Sequence, residues 1–248
     1  MESAELATIF VALTFTLAGL VKGVIGMGLP TIAMGLLAEA MAPAEAATLL
    51  LVPSFVTNLW QLAAGPDCRA LIRRLWPMLF GIGIGTLAGS GLLAEDQGGR
   101  AAMALGGALI LYALLGLAKV RLAVPRRWER WLGAPIGLAT GLVAAATGVF
   151  VIPAVPYLSA LGLEKDELVQ ALGLSFTVST VALGGSLFVG GTVQGGVAGS
   201  SLLALAPALI GMVLGQRLRA LVDATNFRLC FFLGLLALGA DLLARPLM

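Results

Sequence analysis

The chain has 248 residues, 59% of them hydrophobic and 11% charged, with a formal charge of +2 and no histidine. Such a composition excludes a water-soluble globule, and its continuous apolar runs exclude a β-barrel, whose strands alternate apolar with polar residues. The missing imidazole excludes histidine acid–base chemistry, histidine-ligated metals and histidine pH sensing. No cofactor, metal or nucleic acid is expected, and the surrounding partner is a lipid bilayer. The two cysteines, Cys68 and Cys230, have neither metal-ligand nor redox spacing.

Apolar segments follow one another at 6–21, 29–38, 46–64, 75–94, 101–118, 132–146, 149–161, 168–189, 197–215 and 227–243. Most fill the roughly 20 residues that cross a hydrocarbon core. The first two, and the pair from 132 to 161, are short and read as discontinuous or re-entrant pieces. The acidic start MESAEL marks the first run as a retained segment, not a cleaved signal. Between the first two segments lies GLVKGVIGMGLP, with Gly23, Gly26, Gly28 and Pro30 breaking the helix and Lys22 beside them. Loose backbone survives inside a membrane only against protein or a polar cavity. The half-helix that restarts at Leu29 turns its free N–H groups and positive dipole end toward an anion.

The third segment carries Thr48, Thr57, Asn58 and Gln61, and its later counterpart carries Ser175, Thr177, Ser179 and Thr180. A carboxamide at membrane depth needs partners. Single hydroxyls more often bond the carbonyl one turn back. The thirteen carboxylates all fall in loops or near segment ends, so ion coupling through Asp or Glu has no evident carrier. An intramembrane lysine is a functional residue by default.

Basic residues set sidedness. Arg69, Arg73 and Arg74; Lys119, Arg121, Arg126, Arg127 and Arg130; Lys165; and Arg217, Arg219 and Arg228 form four cytoplasmic groups, leaving Arg100 and Arg245 outside. Trp60, Trp76, Trp128 and Trp131 lie beside the same groups, as interfacial anchors do. The chain then divides into 1–118, a basic cytoplasmic linker 119–131, and 132–248. Each half is a broken hairpin plus three crossings, and the halves enter the membrane from opposite sides. Gly19–Gly23 matches Gly137–Gly141, Ser54-Phe55 matches Ser175-Phe176, and Pro77-x-Leu79-x-Gly81-x-x-x-Gly85 matches Pro207-x-Leu209-x-Gly211-x-x-x-Gly215. The expected architecture is an all-α polytopic membrane protein of two inverted-topology repeats. That is the pattern of secondary transporters with a site at the helix interruptions.

The candidate anion-binding residues are Lys22, Gly26 and Gly28 at the first break, Thr140, Thr147 and Gly148 at the second, and Asn58, Ser175 and Ser179 on the polar spans. Two other readings stay open: a membrane assembly or maturation factor, and an intramembrane enzyme in which Lys22 activates Ser54 or Ser175. A homodimer through a glycine-rich face also stays open.

The run G-x-x-K-G-x-x-G-x-G before Pro30, the Ala-Thr-Leu-Leu of the next span, and TGLVAAATGVFVIPAVPYLSALGL at 140–163 resemble the sulfite exporter TauE/SafE family, also described as toluenesulfonate uptake permeases. The resemblance covers nearly the whole chain. It implies a permease for sulfite, sulfonates or related sulfur-containing anions across a bacterial inner membrane. Lys22 departs from the family pattern, in which small residues are usual at that place.

Overall fold

The computed structural model describes residues 2–93, 99–118, 122–190 and 195–244. Glu95, Lys119, Arg121 and Arg245 lie outside them, as do the linker's first residues. Among the described residues every regular element is helical: α1 (Glu2–Ile25), α2 (Leu29–Leu37), α3 (Pro43–Ala63), α4 (Cys68–Ala88), α5 (Arg100–Leu117), α6 (Arg126–Thr147), α7 (Ala154–Ser159), α8 (Lys165–Val189), α9 (Gly195–Leu218) and α10 (Ala224–Ala244). Seven of these helices are long and apolar enough to cross a membrane. Large apolar side chains such as Leu13, Phe80, Leu203 and Leu233 point outward, where a bilayer would cover them. The chain is a multi-pass membrane protein.

Three sequence-based boundaries need correction. The first segment is not short: α1 has 24 residues and carries Lys22 in its last turn, so the break begins four residues after the lysine. The segment at 132–146 is likewise the end of the 22-residue α6. Only α2, with nine residues, and α7, with six, are short. Hydropathy marks apolar stretches alone, so it dropped the charged first turns of α4 and α6, although both are regular helix. Asp67 caps α4, accepting the Ala70 N–H at 2.9 Å, and Pro125 precedes α6.

Four helix pairs organise the interior: α1 along α9, α4 along α6, α3 across α8 and α5 across α10. Glycine permits the first two. Gly19 and Gly23 lie on the Ala208 and Met212 carbonyls of α9, and Gly211 and Gly215 lie on the Thr16 and Leu20 carbonyls of α1. On the other side Gly137 and Gly141 lie on Met78 and Ile82 of α4, and Gly81 and Gly85 on Ala134 and Leu138 of α6. A Cβ at any of these positions would strike backbone, which no rotamer change relieves. Small residues let helices in a membrane approach this closely, and packing replaces the missing hydrophobic drive.

Two polar devices tie the long helices together. Pro53 cannot donate to the Leu49 carbonyl one turn back; Ser201 of α9 donates to it instead at 2.9 Å and accepts the Val52 N–H at 3.1 Å. Arg74 of α4 holds Glu129 of α6 through two 2.8 Å bonds, Nε to Oε2 and Nη2 to Oε1. Its Nη2 also donates to the Leu161 carbonyl at 3.0 Å, and Tyr157 of α7 donates to the Glu129 carbonyl at 2.7 Å. Because Glu129 is buried, Arg74→Ala leaves a carboxylate without its fork. We expect a loss of about 3 kcal/mol in thermal or denaturant unfolding in detergent. Arg74→Lys recovers only part of it, since a lysine cannot make the paired bonds.

Candidate functional site

At the first break α1 ends when Gly26 enters the left-handed region at φ 81°. Its N–H still closes the last turn on the Lys22 carbonyl at 2.8 Å. Gly28, at φ 105°, then starts α2. An alanine at Gly28 would pay the left-handed penalty of about 1–2 kcal/mol. Its Cβ would also sit 3.0 Å from Val21 Cγ1 and 3.1 Å from Phe231 Cε2. We expect Gly28→Ala to lower the melting midpoint and to reduce ligand response with it. Pro30 removes one donor from the first turn of α2, and Ile32 N–H is used on the Gly28 carbonyl at 2.9 Å. Tyr112 of α5 packs against the break, its hydroxyl 3.0 Å from Met27 Sδ.

Lys22 is 2% exposed and donates through Nζ to Asn58 Oδ1. No carboxylate lies against it among the described residues. Asn58, fully buried on α3, passes the contact on: its Nδ2 donates to Thr180 Oγ1 at 3.4 Å, and Thr180 donates to the Phe176 carbonyl at 2.7 Å. The chain of donors fixes the amide, because an ammonium needs an oxygen and Thr180 has already given its hydrogen. One turn farther along both helices, Gln61 Nε2 donates to the Gly26 carbonyl at 2.6 Å. Lys22 and Gly26 on α1 thus face Asn58 and Gln61 on α3 as two successive rungs. Ser54 shares the Asn58–Gln61 face by helical spacing, and its buried hydroxyl has no partner among the described residues.

The second break is built differently. Gly148 ends α6 at φ 70° and rests against Met34 of α2, so the two hairpins touch there. Thr147 donates to the Val143 carbonyl at 2.7 Å and accepts the Val149 N–H at 3.1 Å. Residues 149–153 run without helix, and 149–152 are buried. The start of α7 has little to offer an anion: Val155 N–H is taken by Val151 at 2.8 Å, and Pro156 has no donor. A cavity of about 460 Å³ opens between α5 and α6 and reaches Thr147, but its other walls, among them Leu111, Leu142 and Ala146, are apolar.

Of the sequence-predicted residues, Lys22 and Asn58 meet directly, with Gly26 and Gly28 next to Lys22 in the same break. Thr147 and Gly148 form the second break. Thr140 and Ser179 are fully buried and spend their hydroxyls on Ile136 and Ser175 carbonyls one turn back. The Ser175 hydroxyl, also buried, has no partner among the described residues. Neither Ser54 nor Ser175 is hydrogen-bonded to Lys22, so no serine–lysine pair is formed. Gln170 was missed from the sequence: it donates to the Leu62 carbonyl at 2.9 Å and accepts the Asp67 N–H at 3.1 Å, tying α8 to the end of α3. Its only sequence signal was an amide just inside an apolar span. Among the described residues no group of His, Cys, Asp and Glu can hold a metal ion.

No curated protein and no solved structure matches the chain. The family model described as sulfite exporter TauE/SafE matches residues 11–242. That match runs through both breaks, the Lys22–Asn58 contact and both glycine crossings, and the chain belongs to the sulfite exporter TauE/SafE family.

Proposed function

We propose that the protein is a secondary transporter of small sulfur-containing anions, sulfite or organosulfonates, in a bacterial inner membrane. The observation that carries this reading is the Lys22 ammonium, enclosed at a helix break and held by a neutral amide. A buried cation without a carboxylate is expensive in a chain that spans lipid, and an anionic cargo supplies the missing charge. The first turn of α2 beside it adds dipole attraction of the same sign.

The halves 1–118 and 132–248 act as duplicated units that together alternate access. The contacts support the duplication. Shifting α1 by 118 residues onto α6, and α4 by 130 onto α9, carries each glycine contact of one crossing onto one in the other. Counterflow in proteoliposomes tests the function. Labelled sulfite should accumulate transiently against unlabelled sulfite inside. Conductance without counterflow would make the protein a channel, and absence of flux for sulfite and every sulfonate would leave an assembly role.

A further inference from the structure

The first rung of the site offers a positive charge, and the second offers an acceptor with nothing to accept. Gln61 is 7% exposed, and the Gly26 carbonyl fixes its orientation by demanding an N–H, so Oε1 must be the other carboxamide atom. That oxygen is buried and has no donor among the described residues. It belongs to the residue one helical turn from Asn58, about 4.5 Å along the axis, which brings it within reach of a small molecule lying on Lys22.

We infer that Gln61 Oε1 reads a hydrogen carried by the cargo, so that the transported species is a singly charged oxyanion bearing its own O–H or N–H, such as hydrogen sulfite. This rests on the transport reading above and narrows its substrate. The charge count agrees. Lys22 alone neutralises one negative charge, and a dianion would leave one buried without a partner. A fully deprotonated monoanion satisfies Lys22 but presents only lone pairs to Gln61 Oε1, and a buried acceptor facing an acceptor is what a hydrogen-bonding site rejects most strongly.

The test is binding to purified wild-type protein, by melting-midpoint shift and by competition with labelled sulfite counterflow. The probes are 2-hydroxyethanesulfonate, ethanesulfonate, sulfate, and sulfite on either side of its second ionisation. The expected result is that hydroxyethanesulfonate binds at least ~10-fold more tightly than ethanesulfonate. Sulfate should be weaker still, and sulfite should weaken as it becomes a dianion. Gln61→Leu should erase the difference between the two sulfonates. Gln61→Lys keeps a donor for Gly26, adds a second cation, and should move preference toward sulfate. Equal binding of both sulfonates by the wild type, or sulfate bound as tightly as either, overturns the inference while the transport reading stands. No response to any probe removes both.

Discussion

Lys22→Gln is expected to lower saturable anion flux at least ~100-fold, equivalent to about 2.7 kcal/mol of lost binding, in protein that stays folded. The two halves of that expectation have different causes. Binding falls because, among the described residues, no other cation joins Lys22 in the contacts of this site, and a charge in a low-dielectric interior interacts far more strongly than one in water. Folding survives because the ammonium has no carboxylate to orphan. The glutamine amide can still donate toward Asn58 Oδ1, and removing a buried uncompensated charge lifts a desolvation penalty. The melting midpoint in detergent should therefore hold or rise while sulfite counterflow disappears. Undiminished counterflow in a folded Lys22→Gln variant would move the cargo site away from the first break.

Gly211→Val and Gly81→Val should each abolish monodisperse protein. A branched side chain at Gly211 meets the Thr16 carbonyl and the Leu20 N–H at 2.9 Å, and one at Gly81 meets the Ala134 carbonyl and the Leu138 N–H at 2.9 Å. Overpacking against side chains costs about 1–3 kcal/mol; here the obstacle is helix backbone, and the whole crossing must separate. Size-exclusion profiles of detergent-extracted protein would show aggregation or loss of the peak. Gly83→Ala is the matched control, since nothing lies within 4 Å of its Cβ position, and it should fall within about 0.5 kcal/mol of wild type. Equal damage at Gly211 and Gly81 is also what duplicated halves require. A well-behaved Gly81→Val beside a collapsed Gly211→Val would argue that the two crossings are not equivalent.

Much of this was legible before any coordinates. Continuous apolar runs gave an all-helical membrane protein, and GLVKGVIGMGLP placed the first break, because glycine and proline at membrane depth need a reason. Lys22 stood out by charge and Asn58 by its amide. Their direct contact was not legible, since it depends on how α1 and α3 align after an intervening turn. Helix length was misjudged where charged residues open α4 and α6, because hydropathy measures preference for lipid and not for helix. The second break is built differently from the first. Its sequence has the same glycine and proline, but Pro156 and the Val151–Val155 bond take away the donors an anion would need. Gln170 and Ser201 were invisible for a further reason: each answers a backbone group on a distant helix.

The Ser201 contact has a mechanical meaning. A proline within a membrane-spanning helix usually loosens it, and that place becomes a natural hinge. In α3 the carbonyl released by Pro53 is already occupied from outside, by a hydroxyl anchored on another helix. The joint is pinned. Asn58, five residues beyond, therefore rides on a stiff bracket shared between α3 and α9, and the movement that the proposed alternating access requires has to carry that bracket as one piece.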